Sequence, residues 1–245
     1  MRVSRVYYPI EMKPQRGFEV DGKVHHYLNR VLRLNTGAAV RFFNDKGREF
    51  LCTLTDKGRH ASAFVCEREI EVLPEGGPKV KLYLAVCKND SMDFSVQKAT
   101  ELGVQELQPL ISEHSLTRSI ADRRRLHWQG VAESACEQCG RAIVPQIADS
   151  IALQEITKIE GDDKAIICCL NTQISIKEQA DKILTKLSER KAVLHLMIGP
   201  EGDFSSDEIA RAISLGFEPA GLGDYVLRSD TAVVAALSVI RFLCE

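Results

Sequence analysis

The sequence predicts a mixed α/β protein in two parts: a small N-terminal β-barrel and a larger C-terminal α/β domain. Three observations carry this. Several short alternating stretches and one helix occupy residues 1–73, a pattern of small barrels. The run PEGGP at 74–78 is the clearest linker in the chain. From residue 79 to 245, apolar strand-like runs alternate with amphipathic helical ones, which argues for a mostly parallel sheet covered by helices on both faces.

In order, residues 2–8 alternate loosely, and 24–34 form a short helix with Val24, Leu28, Val31 and Leu32 on one side, ended by Asn35-Thr36-Gly37. Residues 39–43 and 49–54 flank Asn44-Asp45-Lys46-Gly47, a hairpin turn. Residues 61–73 are a strand pair or one long bent strand. In the second part, strands are expected at 79–87, 104–111, 165–170, 193–198 and within 216–221. Helices are expected at 91–102, 119–140, 174–189 and 232–243. Ser205 with Glu208 has the spacing of a capping box for another, and Ser229-Asp230-Thr231 are candidate caps for the last.

The composition, 44% hydrophobic and 27% charged, is that of a soluble globular protein. No apolar run reaches the ~18–20 residues of a membrane span. The start, MRVSRVYYPI, has no signal-peptide pattern, so a cytoplasmic location is expected. The eight cysteines are scattered through apolar contexts, as reduced core cysteines are. Cys136 and Cys139 make a CxxC without a second pair, so no metal site is expected. Residues 1–60 carry 12 Lys and Arg against 6 Asp and Glu, leaving 20 against 28 in the remainder. A basic module on an acidic one suits nucleic-acid binding, and a solvated basic face gives the same count.

Chemistry concentrates at 193–231. An apolar strand ends in Gly199-Pro200-Glu201-Gly202, and a second turn, Gly221-Leu222-Gly223-Asp224, leads to Val226-Leu227-Arg228. Glycine leaves backbone N–H and C=O groups bare, able to read a planar heterocycle where parallel strands end. Ordinary strand-to-helix turns share this pattern. It is not GxGxxG after a first strand, which sets aside a dinucleotide fold.

GPEGDF at 199–204 and LGDYVLRSDTA at 222–232 closely resemble two motifs of the SPOUT methyltransferases. The nearest likeness is to the family that methylates N3 of a uridine in bacterial 16S ribosomal RNA. Lys88, QKATELGV at 97–104, ESACEQCGR at 133–141 and HYLNRVLR at 26–33 extend it over nearly the whole chain. The motifs usually read GPEGG and LG-x-x-[IV]LR-x-ETA, so Asp203 replaces a glycine and Asp230 a glutamate.

The resemblance implies a PUA-like RNA-binding barrel, a SPOUT domain with a trefoil knot, S-adenosylmethionine as cofactor and a homodimer with its site near the interface. The final helix is an interface element or a core helix. The implied partner is 16S rRNA or the assembled small subunit. The implied cofactor pocket comprises Leu170, Asn171, Ile198, Gly199, Pro200, Glu201, Gly202, Leu222, Gly223, Val226, Leu227 and Thr231. Leu222, Val226 and Leu227 also suit a core.

Arg228, always charged, is the candidate to stabilise negative charge on a uracil oxygen. It also suits a pair with Glu201 or Asp230, themselves the nearest candidates for a general base. Candidates for RNA contact are Arg30, Arg33, Lys88, Lys98, Arg118, Arg124, Gln138 and Arg141. Arg30 and Arg33 are expected on one helix face; Glu137 and Arg141 form an i,i+4 pair that suits a structural helix equally. Two rival functions fit the same residues: a SPOUT enzyme for tRNA or another rRNA position, and a non-catalytic RNA-binding or assembly factor.

Overall fold

The computed structural model describes residues 3–115, 117, 119–170, 172–184 and 192–243. Two compact units emerge: Met1–Pro74 with Cys136–Val144, and Glu75–Ala135 with Pro145–Glu245. The division falls at the PEGGP run, but residues 136–144 rejoin the first unit, which no sequential boundary anticipates.

The first unit holds β1 (Ser4–Tyr7), β2 (Gly17–Val20), α1 (Gly22–His26), β3 (Ala39–Phe43), β4 (Glu49–Lys57) and β5 (Ser62–Ile70). They form one sheet in the order β1-β3-β4-β5-β2, with β1 parallel to β3 and the other pairs antiparallel. Val40 and Phe42 alternate with Arg41 along β3 and turn inward, where Phe42 meets the ring of Phe64 edge-on at 4.9 Å. Asn44 makes the β3–β4 turn: its buried side-chain oxygen accepts the N–H groups of Lys46 and Arg48, and Gly47 takes φ 68°. Residues 61–73 give one strand rather than a pair, and β2 has no counterpart in the sequence reading.

The expected helix at 24–34 is corrected. After α1 the chain makes a wider π-type turn over Tyr27–Val31, and Arg33 sits at φ 51°. Leu34 N–H closes back on the Leu28 carbonyl at 3.1 Å, a left-handed stop. Arg33 therefore lies beyond the helix and does not share a helical face with Arg30.

The second unit adds β6 (Lys79–Ala85), α2 (Asn89–Glu101), β7 (Glu106–Ile111), α3 (Asp122–Cys139), β8 (Gln146–Ile147), β9 (Ile151–Ala152), β10 (Lys164–Cys168), α4 (Ile176–Leu184), β11 (Val193–Ile198), α5 (Ser206–Ser214), β12 (Glu218–Ala220) and α6 (Ser229–Phe242). The last turn of α3 belongs to the first unit. The sheet is wholly parallel in the order β12-β10-β11-β6-β7-β8, with β9 also beside β7.

Both faces of the central strands are buried, as the continuous runs at 82–85, 165–168 and 196–198 show. Tyr83, Ala165, Ile167 and Met197 pack with Phe204, Ala212 and Phe217. α2 packs on α6, whose Ala232, Val233, Ala236, Leu237 and Ile240 are buried, as a core helix requires. Among the described residues no helix is long and apolar enough to cross a membrane. Of the expected helix at 174–189, residues 185–189 lie outside the described set.

The capping box at α5 forms as its spacing predicts. Ser205 Oγ accepts Glu208 N–H and Glu208 Oε2 accepts Ser205 N–H at 3.0 Å. Glu208 Oε1 also accepts Glu113 N–H at 2.8 Å, and the side chain is buried. One carboxylate thus satisfies two backbone donors. Glu208→Ala removes the capping box and leaves two part-buried donors unpaired, and should cost roughly 1–2 kcal/mol in all. Denaturant unfolding followed by circular dichroism measures the loss, whereas the exposed Glu218→Ala should change stability by less than about 0.5 kcal/mol.

Candidate functional site

Register sets the site. Cys168, the last residue of β10, lies between Ile198 of β11 and Ala220 of β12. Three adjacent parallel strands end in one row, so their loops open side by side, where ligands of parallel sheets bind.

Three hydrogen bonds bind these loops to each other. Cys169 N–H donates to the Ala220 carbonyl at 3.1 Å. Leu170 N–H donates to Asp203 Oδ2 at 3.1 Å. The buried Ser229 hydroxyl donates to the Gly199 carbonyl at 2.7 Å. Ser229 was expected as a helix cap. Instead Arg228 holds the cap position of α6 without a side-chain cap bond, and the serine ties α6 to the loop after β11.

The loop after β11 is compact. A Cβ on Gly199 would sit 3.2 Å from Asp203 Oδ1 and 3.2 Å from the Phe204 ring, closer than such contacts normally fall, so any larger residue would push these side chains aside by a few tenths of an ångström. Asp203 N–H closes on the Pro200 carbonyl at 3.0 Å and Asp203 takes φ 59°, a left-handed conformation that Asp tolerates better than most residues. In the third loop Gly223 takes φ 110°.

The loops enclose an open pocket with about 560 Å³ of empty space, part of it solvent. Its wall includes Leu170, Ile198, Gly199, Pro200 and Glu201, and, across from them, Leu222, Gly223, Val226 and Leu227. Val226 is 74% exposed, which sets aside a core role for it. Two expected residues stay off the wall. Gly202 lies against the His114 ring, and Thr231 donates its backbone and hydroxyl groups to Asp230 Oδ1. Asn171 lies outside the described residues.

The wall also includes Cys168, Cys169, Asp203, Tyr225, Ser229 and Ala232, which sequence reasoning missed. Cys169, Asp203, Tyr225, Ser229 and Ala232 each adjoin a residue singled out in the sequence, whereas Cys168 ends β10 and reaches the wall through strand order. Burial pushes the thiols of Cys168, Cys169 and, nearby, Cys87 upward, the last to about 12, so all three stay protonated.

Arg228 is beside the pocket without lining it. Its side chain is 74% exposed, and Nη2 stands 3.3 Å from Asp230 Oδ2 and 3.2 Å from Ser91 Oγ. Ser91 Oγ in turn donates to the same Asp230 oxygen at 3.2 Å. Of the two carboxylate partners considered, Asp230 is the one engaged. Glu201 is exposed on the pocket wall.

The candidates for RNA contact divide between the two units. Arg30, Arg33, Gln138 and Arg141 belong to the first unit and Lys88, Lys98 and Arg124 to the second. Arg30, Arg33, Lys88 and Gln138 are exposed. Lys98 pairs with Glu101 at 2.9 Å. Arg124 reaches Asn89 and lies 5.8 Å from the Trp128 ring centroid. Arg118 lies outside the described residues. Among the described residues, no group of three or more His, Cys, Asp or Glu is placed to hold a metal ion.

Residues 75–241 match the family model described as an RNA methyltransferase domain. The chain belongs to this RNA methyltransferase family. Residues 20–65 match a second model, an RNA methyltransferase PUA domain. Ribosomal RNA small subunit methyltransferase E of a Synechocystis strain is 32% identical over 221 residues, 90% of this chain and 71% of that protein. The protein of that name from Buchnera aphidicola of Schizaphis graminum is 28% identical over 98% of this chain and 96% of its own. Among solved structures, ribosomal RNA small subunit methyltransferase E of Neisseria gonorrhoeae bound to S-adenosyl methionine superposes with TM-score 0.88 at 29% identity. The match covers 99% of this chain and 98% of that one. A Legionella pneumophila methyltransferase in complex with SAM gives TM-score 0.86 at 28% identity, over 99% and 98%.

His114 braces the methyltransferase loop after β11. Its Nδ1 lies 2.9 Å from the Asp203 carbonyl and 3.2 Å from that of Gly202; since both partners accept, Nδ1 carries the proton. The Asp203 bond, then the Gly202 bond and the charges of Glu113 and Glu208, raise this histidine above its ordinary value. A raised folded pKa means that the charge-assisted part of the brace is fully present below the unfolded value and fades as pH rises through the folded one, leaving the weaker bond of the neutral Nδ1–H form. An NMR titration should place the His114 midpoint above the ~6.5 of an unperturbed histidine. Amide exchange at Asp203, corrected for its intrinsic pH dependence, should quicken above that midpoint in the wild type and not in His114→Ala.

Proposed function

We propose that this protein is an S-adenosylmethionine-dependent methyltransferase of small-subunit ribosomal RNA and that it methylates N3 of a uridine. The observation that carries the proposal is the pocket of three hydrogen-bonded loops at aligned parallel strand ends, in a chain of the RNA methyltransferase family. The two whole-chain structural likenesses, each solved with this cofactor, support the choice of ligand. The uridine N3 assignment rests on the motif resemblance.

The residues present fit the cofactor. The pocket is concave and mostly apolar, as small-molecule sites are. Leu170, Ile198, Leu222, Val226 and Leu227 offer aliphatic surfaces for adenine, and the glycine-bearing loops offer backbone donors and acceptors for its edge. When bound, S-adenosylmethionine supplies an electrophilic methyl group on a sulfonium.

The chain's own residues orient and stabilise. Hydrogen bonds between the loops hold the pocket preformed, so ordering costs little on binding. Arg228, exposed and held at one side by Asp230 and Ser91, presents its remaining N–H groups to a uracil oxygen. That contact favours the N3-deprotonated base, the N3 proton passing to solvent. Asp230 acts here as the arginine's anchor, leaving the exposed Glu201 of the pocket wall as the carboxylate free of that task. The exposed basic residues of both units contact rRNA phosphate, and the first unit serves as a PUA-like barrel. A trefoil knot in the second unit, a homodimer and a cytoplasmic location complete the proposal.

Incubation with tritiated S-adenosylmethionine and separated RNAs tests this. Label should enter 16S rRNA or the small subunit as N3-methyluridine by mass spectrometry; label in tRNA alone would sink the assignment. Arg228→Ala should lower kcat about 100- to 1,000-fold with cofactor affinity unchanged.

A further inference from the structure

The charge of the pocket wall is one-sided. It carries the carboxylates of Glu201 and Asp203 and, among the described residues, no Lys, Arg or His. The rest of the lining is aliphatic, aromatic, thiol, hydroxyl or glycine. Glu201 is exposed and screened by water, whereas Asp203 is half-buried and fixed in place. Asp203 Oδ1 accepts Phe204 N–H at 2.8 Å and Oδ2 accepts Leu170 N–H at 3.1 Å, so two backbone dipoles hold the carboxylate in one orientation on the pocket wall.

The backbone at Asp203 is left-handed, φ 59°, where glycine is the unstrained choice and where the resembled motif carries one. Retaining a carboxylate there costs local strain. Its field reaches the neighbouring Cys168 and Cys169, whose thiolates it opposes.

A methyltransferase pocket meets two forms of one ligand. Before transfer the ligand carries a sulfonium cation; afterwards it is a neutral thioether of nearly the same shape. Apolar contacts to the adenosyl group grip both equally and cannot tell them apart. A fixed negative charge can, because only one form is cationic at sulfur.

We propose that Asp203 is a specificity residue that makes the pocket prefer the sulfonium cofactor to its thioether product. Losing the methyl group then weakens the hold on the spent cofactor and limits product inhibition. This inference rests on the proposed function, and its test separates the two.

Isothermal titration calorimetry of the full chain with S-adenosylmethionine and with S-adenosylhomocysteine reads the ratio of the two affinities. In Asp203→Asn that ratio should shift toward the product by roughly 5- to 10-fold, the scale of one partly screened charge pair. Asp203→Gly removes the charge, relieves the backbone strain and should show the same shift, which guards against a folding defect in the first variant. Loss of pocket shape weakens both ligands together and leaves the ratio alone. Unchanged ratios in both variants overturn the role of Asp203 while leaving the cofactor assignment standing. If the wild-type protein binds neither ligand, the cofactor reading falls and this inference with it.

Discussion

The site depends on one constraint of register. Because Cys168 pairs with Ile198 on one side and Ala220 on the other, three strands stop at the same level. A shift of one residue in either pairing would turn each strand's side chains to the opposite face and stagger the loops. The apolar rows of Ala165, Ile167 and Met197 against Phe204 and Phe217 make such a shift costly, so core packing and pocket geometry are fixed by the same contacts.

The loops add a second layer of order. Each is bonded to the other two, through Cys169 to Ala220, Leu170 to Asp203 and Ser229 to Gly199. Connecting segments are usually the loosest parts of a fold. Here they are braced against one another, and His114 supports the middle one from outside. Preorganisation of this kind lets a pocket with few polar side chains hold a ligand by backbone and shape.

Much of this was legible in the sequence. The apolar runs of β6, β10 and β11 marked a buried parallel sheet, and Ser205 with Glu208 marked the start of α5. Glycines marked two of the loops. What stayed hidden was set by long-range pairing. Cys168, Cys169 and Ala232 reach the pocket only because of strand order, which no local pattern encodes. Ser229 read as a cap because its neighbours fit one, while its hydroxyl found a partner 30 residues away. Arg33 read as helical because periodicity does not reveal the left-handed stop that displaces it. The two-residue strands β8 and β9 are too short to leave a period.

The return of Cys136–Val144 to the first unit has its own consequence. Arg5, with a side chain 8% exposed, meets Glu49 from its own sheet but also donates to the carbonyls of Cys136 and Arg141; Glu137 accepts the N–H of Tyr7. Severing the chain at the PEGGP stretch would take two carbonyl acceptors from the Arg5 guanidinium and the Glu137 carboxylate from the edge-strand amide of Tyr7. The N-terminal module is therefore no detachable cassette: recombination between relatives must carry a nine-residue passenger from the middle of the chain along with it.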